Sequence, residues 1–218
     1  MSSNIKEVLS IHPELKKDLF IRGFLITDKK LDTTDFPFYG NWNVEEHQGY
    51  YFMAHEKTGM HILDKGDKCF FIMGHAYNPF TMEIDEKKEL DFISEKHGTD
   101  EYLERISDLT GVFVMGDISE GKINFLVDPS GMQSACCGKV EDNFYISSHP
   151  QLIGDINGLE MDPWVAKLIK YKWYGRVMGP YLPGDLTPFK SVKRIVPSIL
   201  YHFDGQKPSH ERYWPLKD

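Results

Sequence analysis

The segment from Cys69 to Gly74 constrains the fold of this chain more than any other. It reads Cys-Phe-Phe-Ile-Met-Gly, and every position in it is apolar or glycine. A strand with one face in water alternates apolar and polar residues, so an uninterrupted apolar run predicts a strand that is covered on both faces. We therefore expect a sheet with packed layers on each side of this strand.

The elements on either side of this strand predict the fold class. Strands are predicted at residues 20–27, 49–55, 59–63, 111–115, 122–127, 144–148 and 199–203, and helices at 2–20 (broken or bent by Pro13), 83–96, 100–109 and 163–174. The second and third of these strands should form a hairpin, and 111–115, 122–127 and 144–148 should be consecutive antiparallel neighbours. Strands, then two helices, then strands again predict an α+β fold with antiparallel sheets, in contrast to a doubly wound βαβ sheet.

The charge balance and the hydropathy pattern argue against two classes of partner. The 218 residues include 25 Lys and Arg against 33 Asp and Glu, for a net charge of −8. An acidic protein is repelled by phosphate backbones and by anionic lipid. No segment approaches the roughly 18 apolar residues of a spanning helix, and the N-terminus lacks the layout of a signal peptide. We expect no nucleic acid, no membrane and a cytoplasmic location.

The cysteines and histidines predict no metal site and no cofactor. The three cysteines are odd in number and show no Cys-x-x-Cys spacing, which favours buried thiols over disulfides, zinc ligands or a reactive thiolate: Cys69, Cys136 and Cys137. Four histidines lie without a closely spaced carboxylate in the sequence, which favours structural roles: His47, His55, His61 and His75. The aromatic cluster Tyr171-Lys-Trp173-Tyr174 is open to two interpretations, core packing or contact with a partner.

Three groups of motifs resemble, in order, the class II glutamine amidotransferase half of asparagine synthetases. Residues 71–78 resemble the family's strand with Asn-Gly-Glu-Ile-Tyr-Asn. Residues 103–113 resemble its helix and Leu-x-Gly-x-Phe strand, residues 127–131 its Arg-Asp-x-x-Gly, and residues 144–152 its Ala-Ser-Glu-x-x-x-Leu. Residues 187–197 are similar to Phe-x-x-Val-x-Arg-Leu-x-Pro-Gly. The resemblance covers roughly residues 65–215.

This resemblance implies a fold and a domain organisation. The implied fold is the N-terminal nucleophile hydrolase type, an αββα sandwich of two antiparallel sheets between helical layers. Residues 1–20 would then be an N-terminal helical extension and residues 21–210 the amidotransferase-like domain. Residues 211–218, with Arg212-Tyr213-Trp214, would form a linker towards a synthetase domain.

The residues that the family's glutaminase chemistry requires are missing. Active members use a cysteine at the mature N-terminus, and its own α-amino group is the base. Residues 21–25 resemble the family's opening strand, but neither Ile21 nor Arg22 can be a nucleophile. Met73 stands where the family has its oxyanion asparagine and has no hydrogen-bond donor, so only the backbone N–H of Gly74 could serve. No catalytic residue is predicted, and the vestigial positions are Arg22, Gly23, Met73, Gly74 and Asn78.

The sequence therefore predicts a glutaminase-inactive amidotransferase-like domain of an asparagine-synthetase-like, ATP-dependent amide ligase. Relatives that lost the cysteine, such as β-lactam synthetases, resemble this pattern. The expected partner is a synthetase domain of the ATP pyrophosphatase type, in cis or in trans; the chain itself lacks Ser-Gly-Gly-x-Asp-Ser. Self-association is left open. The alternatives are a non-enzymatic interaction or regulatory module, and an active amidohydrolase using Ser2 or a fragment of a glutamine-hydrolysing asparagine synthetase.

Overall fold

The computed structural model of the protein describes residues 2–177, 179, 181–206 and 208–214, and the side chains of residues 2–4 lie outside that description. The chain divides into two compact units. Unit 1 comprises Met1–Glu45, Tyr51–Thr58 and Cys136–Arg194, and unit 2 comprises Glu46–Tyr50, Gly59–Ala135 and Ile195–Asp218. Within the described residues, no helix combines the length and the apolar character needed to cross a membrane.

Twelve strands and six α-helices are described, with one 3-10 helix at Pro13–Asp18. The strands are β1 (Phe24–Thr27), β2 (Trp42–His47), β3 (Tyr50–His55), β4 (Met60–Lys65), β5 (Lys68–Tyr77), β6 (Thr110–Ser119), β7 (Lys122–Val127), β8 (Cys136–Val140), β9 (Asn143–Ser147), β10 (Val192–Arg194), β11 (Ile199–Phe203) and β12 (Pro208–Arg212). The α-helices are α1 (Ser2–Ile11), α2 (Glu86–Ser94), α3 (Asp100–Ser107), α4 (Pro150–Asn157), α5 (Pro163–Ile169) and α6 (Tyr174–Val177).

The first sheet has the strand order β10-β8-β9-β1-β3-β2. β1 lies between two antiparallel neighbours, because Ile26 pairs with Phe52 of β3 on one side and with Ile146 of β9 on the other. All four residues of β1 are buried. Leu25 packs in a core cluster that includes Leu152 of α4. β1 is therefore the buried central strand of this sheet, and its start is fixed from both sides.

The second sheet has the order β12-β11-β7-β6-β5-β4, and its β5 is the strand that the apolar run predicts. The five residues from Cys69 to Met73 are at most 1% exposed, so the prediction of burial on both faces is confirmed. Phe70 and Ile72 pack against Leu90 of α2 and Ile106 of α3 in one cluster. Full burial of each such side chain stabilises the fold by about 1.5–3 kcal/mol. The predicted α+β class with antiparallel sheets is also confirmed.

Some predicted strands have other partners or other ends. The strand predicted over 20–27 begins only at Phe24, because Phe20 and Arg22 adopt left-handed conformations with φ of 53° and 58°. The predicted hairpin of 49–55 and 59–63 is wrong, since β3 pairs with β1 while β4 pairs with β5. β9 was expected beside β7 and instead pairs with β1 and β8. Local alternation identifies a strand and carries no information on its partner.

The remaining differences concern short or polar elements. The sequence patterns did not predict β2, β8, β10, β12 and α4. All five residues of β12 are exposed, so no apolar alternation marks it. The helix predicted over 163–174 ends at Ile169, and Tyr174 begins the separate helix α6. The helix predicted over 2–20 is interrupted before Pro13, as proline requires, and continues as a 3-10 turn.

Candidate functional site

The chain reaches β1 through a tight backbone turn, which we call the β1 start and define as Phe20–Phe24 with Ser148 and His149. The N–H of Gly23 donates to the carbonyl oxygen of Phe20 at 2.7 Å, closing the turn. The carbonyl oxygen of Gly23 accepts two hydrogen bonds, from the His55 N–H at 2.9 Å and from the Thr58 hydroxyl at 3.0 Å. The backbone polar groups of Gly23 are therefore both used inside the protein.

The space around Gly23 is filled. A Cβ atom built there would lie 2.6 Å from the Phe20 carbonyl oxygen, 3.1 Å from the Trp42 ring and 3.2 Å from the Ser148 hydroxyl. Real Cβ contacts below 3.0 Å are essentially never seen, so position 23 accepts only glycine without movement. The neighbouring Arg22 is exposed. Position 23 thus has no space for a side chain, and neither Arg22 nor Gly23 carries a nucleophilic group.

A serine–histidine pair lies at the same place. The Ser148 hydroxyl accepts from the Phe24 N–H at 2.9 Å and lies 2.8 Å from Nδ1 of His149. Burial lowers the pKa of His149, which keeps its ring neutral. A hydroxyl beside a neutral imidazole is the arrangement of an activated nucleophile. However, Ser148 is only 4% exposed and one of its lone pairs is taken by the strand, so it anchors β1.

The sequence pattern gave no sign of this pair's role. Residues 144–152 were matched to the family by their spacing, and Ser147-Ser148-His149 lies inside that match. Ser147 contributes as well, since its hydroxyl donates to the Phe24 carbonyl oxygen at 3.0 Å. Two adjacent small hydroxyl residues at the end of a buried strand are the signal that could have indicated an anchor for a neighbouring backbone.

In unit 2, the positions that resemble the family's oxyanion hole are also occupied. Met73 is fully buried in β5, where it pairs with Met60 and Val114. The N–H of Gly74 donates to the Gly59 carbonyl oxygen at 2.8 Å. The sequence left this N–H as the remaining oxyanion donor, and that expectation is corrected, because the N–H already has an acceptor. Gly74 has a φ of 111°, which glycine alone adopts without strain.

The last vestigial position, Asn78, organises the turn that follows β5. Its side-chain oxygen accepts from the N–H groups of Phe80 at 2.9 Å and Thr81 at 3.3 Å. This is the local bonding pattern of an asparagine that replaces a backbone turn. The structure thus gives Asn78 a structural task. The carboxylate of Glu89 in α2 accepts from the Thr81 hydroxyl at 3.4 Å and is buried, which raises its pKa.

The four histidines singled out in the sequence have different environments. His55 is fully buried, with Nδ1 accepting from the Lys57 N–H at 3.1 Å and Nε2 lying 3.0 Å from the Lys17 carbonyl oxygen. His47 contacts the Asp64 carboxylate at 2.7 Å. The other two, His61 and His75, converge on Glu86, a carboxylate that the sequence placed with neither of them. The premise that these histidines lack a nearby carboxylate is therefore wrong for His47, His61 and His75.

The cysteines are inert thiols. All three are buried and form no disulfide. Burial raises the pKa of Cys137 to about 12, and it raises that of Cys136 well above its usual value. A thiol with so high a pKa carries almost no thiolate at neutral pH, and the thiolate is the nucleophilic form. The interpretation of Cys136 and Cys137 as packing residues is therefore confirmed.

Comparisons with known proteins locate the chain by fold alone. No protein-family model matches the chain, and no curated protein matches it in sequence. Among solved structures, glutamine phosphoribosylpyrophosphate (PRPP) amidotransferase from B. subtilis, complexed with ADP and GMP, covers 93% of this chain with 11% identity and a TM-score of 0.47. A structure described as the allosteric regulatory enzyme of purine biosynthesis covers 90% of it with 12% identity and a TM-score of 0.50.

The shared feature is the architecture. The chain spans less than half of either protein, 45% and 44% of their lengths. Its α+β fold, with two antiparallel sheets and helices, matches that of the second of these structures, whose TM-score is 0.50. The fold class expected from the sequence is thus found in the structure, and at identities this low the match extends to nothing beyond the fold.

Proposed function

We propose that this chain is a glutaminase-inactive amidotransferase-like domain that serves an asparagine-synthetase-like, ATP-dependent amide ligase. The observation that carries the proposal is the β1 start, where a chain of some twenty residues precedes the strand and a Cβ at Gly23 would overlap the Phe20 carbonyl oxygen. The N-terminal nucleophile mechanism needs the first residue of the chain at this place. The bonded N–H of Gly74 supports the same conclusion from unit 2.

The domain's positive role would be docking of a synthetase domain. Unit 1 exposes large apolar side chains on and around its last two helices, at 46–68% of their surface: Trp164, Tyr171, Trp173 and Tyr181. Several exposed aromatics close together in the chain are typical of a contact surface. The sequence left Tyr171, Trp173 and Tyr174 open between core and partner contact; Tyr174 is buried, and the other two are exposed. We assign the exposed ones to the partner surface.

Glutamate release from L-glutamine by the purified chain tests the first part of the proposal, that the domain is glutaminase-inactive. We expect no release above the rate without protein, with an active class II amidotransferase as the positive control. Ser2→Ala is the matched variant for the alternative in which Ser2 is the nucleophile; its side chain lies outside the described residues. Release that disappears in Ser2→Ala would establish the hydrolase alternative and remove the proposal.

Binding to a synthetase domain of the ATP-pyrophosphatase type, the partner that the proposal requires, tests the proposed docking role. We expect a one-to-one complex in which the double variant Trp164→Ser, Tyr171→Ser weakens affinity at least tenfold. Tyr77→Ser in unit 2, where Tyr77 is 46% exposed, is the matched control and should change affinity less than twofold. Absence of a complex would favour the alternative of an interaction module that works without a ligase.

A further inference from the structure

Three side chains of the types that bind metals, two histidines and one glutamate, come together from three elements of unit 2. His61 lies on β4, His75 near the end of β5, and Glu86 is the first residue of α2. Their ligand atoms all lie within 4.8 Å of one another. The Glu86 carboxylate is 3.8 Å from Nε2 of His61 through one oxygen and 3.2 Å from Nδ1 of His75 through the other. We call these residues the His61–His75–Glu86 cluster.

The spacing fits a small cation. Zinc binds imidazole nitrogen at about 2.0–2.1 Å and carboxylate oxygen at about 2.0–2.2 Å, so ligand atoms at neighbouring corners of its tetrahedron are roughly 3.3 Å apart. The two contact distances, 3.2 and 3.8 Å, lie on either side of that value, and all three ligand atoms fall within 4.8 Å of one another. Two imidazoles and one carboxylate also form a donor set that zinc enzymes use, with the fourth position left to water or substrate. The cluster therefore has both the ligands and the spacing of such a site.

One ligand atom of the cluster lacks any other use in the described structure. Nε2 of His61 is buried and has no hydrogen-bond partner among the described residues. A buried polar atom without a partner costs about 1–3 kcal/mol, so such atoms call for an explanation. In comparison, the buried His55 has partners for both of its ring nitrogens. A cation coordinated by Nε2 of His61 would satisfy this atom.

The backbone at Gly59 packs directly beside both rings. A Cβ built on Gly59 would lie 2.4 Å from the Gly74 carbonyl oxygen, 3.0 Å from Nε2 of His61 and 3.1 Å from the ring of His75, so only glycine fits beside the two rings without movement. The hydrogen bond from Gly74 to Gly59 ties the ends of the two strands together beside the rings. Ligands on paired strands and at a helix end are held by rigid elements, as metal sites require.

The exposures of the ligands divide the cluster into a closed and an open side. The side chains of His61 and Glu86 are 23% and 15% exposed, whereas that of His75 is 76% exposed. An ion could enter past His75, and a water or an anionic ligand could reach the ion from the same side. The neighbouring Asp85 has a different role. One of its carboxylate oxygens caps α2 by accepting from the Lys87 and Lys88 N–H groups.

We propose that His61, His75 and Glu86 form a mononuclear site for a divalent transition metal of the zinc type, with one coordination position open to solvent. This site is independent of the proposed function, since glutaminase silence and docking do not require it. The cluster has a competitor in unit 2, formed by His47, Asp64 and Cys69. We favour the His61–His75–Glu86 cluster because its His75 is open to solvent, whereas Cys69 of the other group is fully buried in β5.

Calorimetric titration of the untagged, metal-free chain with Zn²⁺ tests the proposal. We expect one ion per chain, and at least a hundredfold loss of affinity in each of His61→Ala, His75→Ala and Glu86→Gln. His47→Ala removes the competing cluster, and His12→Ala removes an exposed histidine that contacts a carboxylate; both should bind like the wild type. Zn²⁺ should also raise the Tm of the wild type and leave that of His75→Ala unchanged.

Two further readouts separate a built site from surface binding. Because His75 is exposed, His75→Ala should fold normally, which circular dichroism checks before titration. Co²⁺ should give the visible absorption of a four-coordinate ion, and Mg²⁺ should bind at least a hundredfold more weakly, because imidazole is a poor ligand for it. Absence of Zn²⁺ binding, equal binding by the three cluster variants and the wild type, or loss of binding in His47→Ala would overturn the proposal.

Discussion

The β1 start in unit 1 and the His61–His75–Glu86 cluster in unit 2 differ in how far their polar atoms are satisfied. At the β1 start, Gly23 uses its N–H and its carbonyl oxygen in internal hydrogen bonds, and Ser148 accepts from Phe24. In the cluster, two imidazoles and a carboxylate converge, and Nε2 of His61 has no partner among the described residues. The polar groups of the first region are used in internal hydrogen bonds, whereas the second has a buried imidazole nitrogen without a partner among the described residues.

The region that resembles a family's active site in sequence is thus not the region whose side chains could bind a ligand. The β1 start lies where the family resemblance implies a catalytic residue, and its backbone and hydroxyl groups hold the strand in place. The cluster lies on elements where no motif indicated a site. A function is therefore better sought from unsatisfied, convergent polar groups than from the location of a lost motif.

The largest effect on this comparison should come from Gly74→Ala. The new Cβ would lie 2.3 Å from the Val112 carbonyl oxygen at a φ of 111°, so the variant combines overlap with backbone strain. We expect the free energy of unfolding to fall by about 3–5 kcal/mol. Urea denaturation measures it. Gly66→Ala is the matched control, with a φ of 66° and nothing within 4 Å of the Cβ, and should cost only about 1 kcal/mol.

If both variants lose the same unfolding free energy, the packing at the end of β5 is looser than the structure indicates. The backbone support of the His61–His75–Glu86 cluster would then be weak as well, since Gly74 directly precedes His75.

The next largest effect should come from Gly23→Ala, which tests whether the β1 start is closed. Its Cβ would meet the Phe20 carbonyl oxygen at 2.6 Å, so we expect a loss of about 2–3 kcal/mol in unfolding free energy. Gly40→Ala is the control in the same unit, because it has a φ of 77° and open space around its Cβ. A Gly23→Ala protein as stable as the wild type would mean that position 23 can accept a side chain, against the closed β1 start.

A smaller effect is expected from Ser148→Ala. The variant leaves the buried N–H of Phe24 without its acceptor, which costs about 1–3 kcal/mol. Thermal unfolding followed by circular dichroism measures the loss. Ser10→Ala, whose exposed hydroxyl donates to the Glu7 carbonyl oxygen, should change stability by less than about 0.5 kcal/mol. Equal stabilities of the two variants would show that Ser148 does not anchor β1.

The smallest effect should be the pH dependence due to His149. Burial lowers its pKa in the folded protein below the ordinary value of 6.5, so below pH 6.5 the unfolded chain takes up the proton first. Stability contributed by the neutral ring is thus complete above pH 6.5 and lost as the pH falls through the folded pKa. We expect His149→Gln to lose less stability than the wild type between pH 7 and pH 5. His12→Gln, at an exposed position, should follow the wild type.

The sequence predicted those parts of the fold that depend on local patterns. The apolar run from Cys69 to Met73 gave the buried strand correctly, because burial on both faces requires apolar residues at every position. The pairing of β3 and β4 could not be predicted in the same way. Both strands are apolar and only a short turn separates them, which is compatible with a hairpin. β3 instead pairs with β1, which lies well before it in the chain, whereas β4 pairs with β5, which follows it directly.

The candidate sites were predictable to different degrees. That positions 21 and 22 carry no nucleophilic side chain is visible from Ile21 and Arg22 without a structure. The His61–His75–Glu86 cluster was missed because its members come from two paired strands and a helix, with Glu86 eleven residues after His75. Histidines near the ends of two adjoining strands, followed by an acidic helix start, were the only signal. Its use would have required the correct pairing of β4 with β5.

The central proposal is that no residue of the β1 start acts as a nucleophile, and covalent trapping tests it most directly. The full chain would be incubated with an electrophilic glutamine analogue, beside an active class II amidotransferase, and both examined by intact-protein mass spectrometry. One attack by a nucleophile on the analogue leaves a permanent adduct. The experiment therefore detects a nucleophile even when glutamine turnover is too slow to measure. The account predicts an unmodified mass for this protein and a single adduct on the active enzyme. A stoichiometric adduct on this chain that excess glutamine prevents would contradict it.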